Sequence, residues 1–466
     1  MNNFRILTVL LSIIILGIAG CSQNSTPWSG ENNIKPYLNN HSYWQYKGKP
    51  VLLIGATDND NLFQNENVKT HLDSLKNIEG NYIRNTMSDR DIGNLHAFGM
   101  NSDGKYDLNN WNNEYWLRFE NLIKLAWERD VIVQIEIWDR FDHSREEWKS
   151  DPYNPDNNIN YTFIESGLDS IYPNHPGKNE QPFFFTVPEL NNNVVLLKYQ
   201  QLFVEKLLSI SLQYDNVLYC IDNETSGVEE WATYWSGYIS SLANGKDIYI
   251  TEMWDNWDVK SETHKQTIDH SDRYGFIDIS QNSQIPGPDN WKNSQYVFDY
   301  IKTNPRPVNS TKIYGSDGGS WLNRGITTEH AVNTFFRNIL GGFASSRFHR
   351  PPSGLGLSNI STKCIQMIRE IETIVKFWDI VPRMDLLTIE EDSEVYLSAR
   401  EGEYYVIYFV KGGVVKLDLS KYNRSFNLRW FNLSEDKPEE KLQLKGGTIA
   451  DIEAISESGS IVVISK

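Results

Sequence analysis

Eight short apolar runs, each followed by a longer stretch with helical spacing, constrain this chain more than any other feature. The runs are Val51–Ile54, Tyr82–Met87, Val131–Trp138, Val217–Ile221, Asp247–Met253, Phe276–Ser280, Lys312–Tyr314 and Phe343–Arg347. Between the first two, Val68, Leu72, Leu75 and Ile78 recur at helical spacing until Gly80 ends the pattern. Strands joined through helices run parallel, because each helix carries the chain back across the sheet before the next strand begins. Eight such units predict an α/β chain folded as a (β/α)8 TIM barrel over residues 31–382. The competing architecture, a doubly wound sheet, would carry a glycine-rich phosphate loop after its first strand, and Gly55-Ala56-Thr57-Asp58 is not one.

The pattern changes after Pro382. Val395–Ala399, Tyr404–Phe409, Val414–Leu417, Phe426–Phe431 and Ile461–Ser465 are short and separated by turn residues such as Gly402 and Gly412-Gly413. They predict a small all-β sandwich over residues 383–466, acting as a rigid packing partner for the barrel, with Trp430 its lone tryptophan.

The first 21 residues read as a targeting segment. Arg5 supplies the positive charge, Ile6–Ile18 is too short for an ordinary spanning helix, and Ile18-Ala19-Gly20-Cys21 matches a bacterial lipobox. Cys21 is then the lipidated N-terminus and residues 22–30 a tether, which places the body at the cell envelope. Ser22-Gln23 lacks the Asp that would indicate inner-membrane retention, so the outer membrane or periplasmic side is expected. The other two cysteines, Cys220 and Cys364, are expected as buried thiols.

A formal net charge of −17 argues against nucleic acid as a partner, and against membrane contact beyond the lipid anchor. Aromatic residues make up 13% of the chain, enough both to fill a core and to leave rings for stacking on sugars. No cofactor is expected. Asp58-Asn59-Asp60 and Asn101-Ser102-Asp103-Gly104 lack the closing Glu of a calcium loop, and His264 and His270 fit no zinc spacing. Neither a phosphate loop nor a Gly-x-Ser-x-Gly elbow occurs.

Barrels of this kind carry their chemistry where the strands end. The fourth run, Val217–Ile221, ends in Asp222, Asn223 and Glu224, and the seventh in Gly315-Ser316-Asp317. Opposed strand ends of an eight-stranded barrel face each other across its mouth, where two carboxyl groups can cleave a glycosidic bond. Glu224 is the candidate acid/base and Asp317 the candidate nucleophile or base, with Glu252 after strand five as rival for the second role. Asp222 can raise the Glu224 pKa by like charge, or simply bond nearby backbone. Substrate-binding candidates are Asn223, Arg84, Asp139, Gln281, Arg347 and His349, with Trp138, Trp254 and Trp321 as stacking platforms or core. Arg84 and Glu136, on adjacent strands, are expected to form a structural ion pair. Val133, Ile135 and Ile137 suit the helix-facing side, which would turn Gln134, Glu136 and Trp138 toward the axis. The aromatic-rich segment 151–190 is expected as an ordered wall or lid beside the mouth.

Asn223-Glu224 after strand four, with a carboxylate after strand seven, resembles the clan A glycoside hydrolases. That resemblance implies Glu224 as acid/base, Asn223 on the sugar 2-hydroxyl and the strand-seven carboxylate as nucleophile. The opening Tyr43-Trp44-Gln45-Tyr46-Lys47-Gly48-Lys49-Pro50-Val51-Leu52-Leu53-Ile54-Gly55 is similar to apiosidase-like bacterial lipoprotein barrels. Leu397-Ser398-Ala399-Arg400, Asp418-Leu419-Ser420 and Trp430-Phe431-Asn432 are similar to their C-terminal collagen-binding-type β-domain. One departure is that most of the clan has Glu after strand seven, whereas Asp317 stands here. The expectation is a lipid-anchored glycoside hydrolase acting on plant or microbial polysaccharide. The alternative is a non-catalytic surface glycan-binding protein on the same scaffold.

Overall fold

A computed structural model describes residues 30–318, 321, 324–351, 355–390, 393–433 and 442–466. The targeting segment, Cys21 and nearly all of the tether lie outside the described residues. Among those described, no helix is long and apolar enough to cross a membrane.

Eight parallel strands follow one another around a common axis: β1 (Leu53–Thr57), β2 (Tyr82–Thr86), β3 (Ile132–Asp139), β4 (Val217–Asn223), β5 (Ile250–Thr251), β6 (Ile277–Asp278), β7 (Val308–Asn309) and β8 (Ser345–His349). Strands β2 to β5 form one ladder, β6 pairs with β7, and β8 pairs with β1. Backbone bonds from Ala344 N–H to Val308 O (2.9 Å) and from Asn81 N–H to Ile54 O (2.9 Å) link these pieces. No ladder joins β5 to β6 among the described residues. This is a barrel-type arrangement with one unlaced seam, and seven of its eight strands overlap the runs the alternation predicts.

The helices between them begin where short polar side chains can satisfy free N–H groups. Asn112 caps α1 (Asn113–Trp127), Asn193 caps α2 (Val194–Ser211), Thr327 caps α3 (Thr328–Leu340) and Ser358 caps α4 (Asn359–Glu372), each by a side-chain oxygen. The far end of the barrel is plugged by an N-terminal antiparallel unit, Lys35–Tyr37, Asn40–Tyr46 and Lys49–Val51. Its Trp44 is fully buried, meets Tyr249 and Phe276 edge-on, and donates its indole N–H to Asn309 Oδ1 at 3.0 Å. Closing that end leaves the strands' carboxyl ends as the open mouth.

The C-terminal module is a two-sheet sandwich. A six-stranded sheet runs in the order Val381–Pro382, Val395–Arg400, Tyr404–Phe409, Ser460–Ser465, Ser425–Asn432, Leu442–Lys445. A three-stranded sheet, Leu387–Ile389, Val414–Asp418 and Ile449–Glu453, covers one of its faces. The period of two explains how the larger sheet is buried on both sides. Tyr405, Ile407, Phe409, Trp430, Val462 and Ile464 point into the sandwich core. Their neighbours Val406, Tyr408, Phe431, Ile461 and Val463 join the barrel's core. There Tyr396 lies against Trp291 and Tyr408 against Phe336, and Arg337 pairs with Glu394 at 2.7 Å. This packing suits the rigid partner role.

Several boundaries differ from the sequence reading. The seventh strand pairs at Val308–Asn309 rather than Lys312–Tyr314; of the latter only Ile313 bridges β8, at Phe348. The polar stretch after Met87 contains a hairpin, Phe98–Met100 with Tyr106–Trp111. Segment 151–190 is ordered, with Tyr153, Tyr161, Phe183 and Phe184 buried. Both Cys220 and Cys364 are buried free thiols.

Candidate active site

Strand β4 positions the centre, and it does so by breaking its own alternation. Along β3, Val133, Ile135 and Ile137 join the helix-facing core while Gln134 and Glu136 turn inward. Trp138 then also turns outward, packed among Phe183, Phe203, Trp231 and Trp235. Its partner across the ladder, Asp222, faces outward too and accepts the Trp231 indole N–H at 2.9 Å. The shared change of phase brings Asp139 and Asn223 into the mouth together, where Asn223 Nδ2 donates to Asp139 Oδ2 at 2.8 Å. Trp138 is therefore core and not a sugar platform, contrary to the simple alternation.

Glu224 follows with φ of 46°, a left-handed backbone that costs a non-glycine residue on the order of 1 kcal/mol or more. Such strain concentrates at functional positions, and here it swings the carboxylate into the mouth with 17% of the side chain still open. Lys312 Nζ lies 2.8 Å from Glu224 Oε1 and 2.5 Å from Asn223 Oδ1, and Gln281 Nε2 donates to Glu224 Oε1 at 2.9 Å. Burial alone would raise this carboxyl. The Lys312 ammonium and the two hydrogen bonds outweigh it and hold Glu224 below the ordinary glutamate range. The like-charge effect expected from Asp222 is not what governs Glu224, because Asp222 points to the other side of the sheet.

Arg84, fully buried on β2, ties the mouth together. It reaches Glu136 (2.5 Å), Asp60 (2.6 Å) and Asn223 Oδ1 (2.8 Å), so the predicted Arg84–Glu136 pair is present within a larger network. Asp60 also receives Arg350 and Arg90 and lies 3.4 Å from His349. These cations overcome its burial and hold its carboxyl well below the usual range. Arg90 extends the network to Asp139 at 2.5 Å and Asp142 at 2.9 Å. Asn223 thus spends both ends of its amide on protein groups, which fixes its orientation beside Glu224.

The other expected residues divide. Gln281, His349 and Asp139 line this network. Trp321 stacks on Tyr314 at 4.8 Å, with Arg324 over its other face at 4.0 Å, and Tyr314 meets His349 edge-on. Arg347 is sealed inside, donating to the backbone oxygens of Thr311 and Thr57 (3.3 Å), and burial drives its pKa down to about 9. Trp254 is 1% exposed and donates to Thr267, so it belongs to the core. Glu252 is fully buried behind β4, accepting the backbone N–H groups of Asp222 and Met253 at 2.9 Å each. Burial and the Asp222 charge raise it far above the carboxylate range, which makes it a neutral interior group without a path to ligand. Asp317 is exposed, left-handed at φ 51°, and accepts the Ile360 N–H at 2.9 Å in the first turn of α4. The cation Lys312 rather than a seventh-strand carboxylate sits against Glu224.

Lys312, Asp60, Arg90, Tyr314 and Asp255 are the residues sequence reasoning did not place. Lys312 was visible as a lone cation inside an apolar run, and Asp60 as part of a polar cluster at the first strand end. Arg90 carried no signal, because it comes from a loop.

No protein-family model matches the chain, and no curated protein matches it. Similar solved structures include a glycoside hydrolase family 5 protein from Bacteroides vulgatus, at 13% identity, 94% coverage of each chain and a TM-score of 0.62. A second, described as a glycoside hydrolase, shares 12% identity over 94% of this chain and 98% of its own, with a TM-score of 0.63. An α-amylase from Geobacillus thermoleovorans, complexed with acarbose, shares 11% over 89% and 98%, with a TM-score of 0.50. These likenesses show that the architecture, barrel and following β-module together, is one that glycoside hydrolases use.

Proposed function

We propose that the chain is a glycoside hydrolase whose centre is Glu224, acting on oligosaccharides or polysaccharide fragments while held at the cell envelope by a lipid on Cys21. The observation that carries this reading is an ionised, partly open carboxylate on a strained backbone at the mouth of the barrel. Lys312, Gln281, Asn223 and Arg84 fix it there. A rigid carboxylate of this kind supplies the electron-rich partner that departure of a sugar's leaving group requires. The fold, which glycoside hydrolases share, supports this reading by analogy. Wall segment 151–190 reaches the same turn, Asn179 Nδ2 donating to Ser226 O at 2.6 Å, which favours an enclosed, exo-acting site.

A second reading has one specific observation behind it. The Lys312–Glu224 pair occupies the carboxylate with a protein cation, as a glycan-binding scaffold without catalysis would tolerate. The Glu224→Gln variant and the wild type, assayed on a panel of glycans for cleavage and for binding, separate the two. Cleavage by wild type that disappears in the variant supports the hydrolase; binding by both with cleavage by neither supports the scaffold.

A further inference from the structure

A carboxylate kept ionised can serve as nucleophile or base but not as proton donor, so Glu224 departs from the acid role expected for it, and a hydrolase centred on it needs a second, protonated group within reach of the same sugar. Of the carboxyls near the mouth, Asp60, Glu136, Asp139, Asp142, Asp222, Glu252 and Asp278 are each engaged by an ion pair or hydrogen bond. Asp317 serves the N–H of Ile360. Asp58 stands on the β1 side, under the influence of Arg350, Asp60 and Arg347 rather than Glu224.

Asp255 is different. The segment after β5 runs beside the segment after β4: Thr225 N–H donates to Met253 O (2.8 Å), Thr225 bridges Trp254 in parallel, and Asp255 N–H donates to Thr225 O (2.7 Å). Asp255 is thereby pinned through its backbone next to the residue that follows Glu224, while its side chain is exposed at the rim. Among the described residues nothing hydrogen-bonds or pairs with that carboxyl. We propose that Asp255 is the proton donor of this site, working against Glu224 across the glycosidic bond.

This assignment rests on the hydrolase reading above and adds the missing half of its chemistry. The surrounding walls and the Glu224 charge both push the Asp255 carboxyl upward, opposite to the shift of Glu224. Environments that drive two neighbouring acids apart are what divide acid from base. In the step, the bond from C1 to the glycosidic oxygen breaks and its electron pair stays on that oxygen, which takes the Asp255 proton. Glu224 supplies electrons at C1, directly or through a water whose proton it accepts. When the intermediate is covalent, water attacks C1, the bond from C1 to the Glu224 oxygen breaks with its electron pair returning to the carboxylate, and Asp255 takes back a proton from that water.

The test compares leaving groups. Purified wild type, Asp255→Asn and Asp317→Asn are assayed on paired 2,4-dinitrophenyl and methyl glycosides of a sugar panel, with thermal melts as the folding control. Dinitrophenolate departs without protonation; methoxide does not. The expected result for Asp255→Asn is a loss of roughly 10²–10⁴-fold on the methyl glycoside, the span of general acid catalysis. Turnover of the dinitrophenyl glycoside should fall far less, because that leaving group departs without the proton. Equal losses on both substrates, no loss on either, or this signature in Asp317→Asn instead would overturn the role of Asp255 alone. A wild type that turns over neither substrate on any sugar overturns the hydrolase reading, and the proposal with it.

Discussion

Glu224 and Glu252 leave neighbouring strands of one barrel and end in opposite states. Glu224 faces the mouth, is partly open, and is held ionised by Lys312 and Gln281. Glu252 faces the sealed space behind β4, where burial and the nearby Asp222 carboxylate favour its proton and the backbone N–H groups of Asp222 and Met253 meet it. The contrast shows that strand-end position is not enough to make a carboxylate reactive. What decides is whether a cation shares its space and whether a ligand can reach it.

The largest expected effect separates the two glutamates directly. Glu224→Gln should lower kcat/KM by roughly 10³-fold or more, in the range seen when a group acting in the transition state is removed. Glu252→Gln, which replaces a neutral acid with a neutral amide, should cost little at acidic and neutral pH. Parallel kinetics on whichever glycan the wild type cleaves would check both, and similar losses in both variants would break the contrast.

Next in size is the network that fixes Asn223. Arg84→Met strips the buried Asp60 and Glu136 of a shared counter-ion, and breaking buried pairs in this way costs about 3–5 kcal/mol. Chemical denaturation should show that loss. Rescue of stability by adding Glu136→Gln, which removes one of the stranded charges, would confirm the electrostatic origin.

Much of this was legible in the sequence. The eight units, the change to an all-β module after Pro382 and the position of Asn223-Glu224 all follow from periodicity and from where polar residues interrupt it. The site's wiring was less legible, for identifiable reasons. Trp138 looked inward because strict alternation was extended one residue too far, past the phase change that β3 and β4 share. Glu252 looked like a rival because sequence shows a strand end but not which side of the sheet a side chain takes. Lys312 sits in an apolar run that predicts a strand, but the ladder of β7 has already ended at Asn309 and the lysine reaches inward to Glu224. Arg90 reaches Asp139 from a loop, and no local pattern predicts a contact made at that range.

The same contrast predicts two opposite pH responses. Burial pushes both Asp222 and Glu252 above their ordinary values of 3.8 and 4.5. Below those ordinary values folded and unfolded chains both hold the protons. As pH rises the unfolded chain releases them while the folded one resists, so stability contributed by this pair is lost progressively through the folded values. Glu252→Gln should flatten that decline between about pH 4.5 and neutrality, the span from the ordinary glutamate value past the raised Asp222 value. Glu224 behaves in reverse: its depressed pKa places the acid limb of activity below the ordinary glutamate range, and Lys312→Met should move that limb to higher pH. A limb that stays put in Lys312→Met would mean that another group sets it.

The smallest effect concerns Asp317, which the sequence offered as the partner of Glu224. Its carboxylate accepts the Ile360 N–H at the start of α4, next to the Ser358 cap. A carboxylate there satisfies one free N–H and complements the helix dipole, together about 1 kcal/mol. Asp317→Ala should therefore lower unfolding free energy by about that amount, and less at high salt, because the dipole part is screened. Turnover should hold near the wild-type value once the protein is kept well below its melting temperature. A loss of activity comparable to that of Glu224→Gln, with stability unchanged, would move the second acid from the β5 side of the mouth to the β7 side. Asp255 would then be a bystander at the rim, and Lys312 would have to withdraw from Glu224 before a sugar could sit between residues 224 and 317.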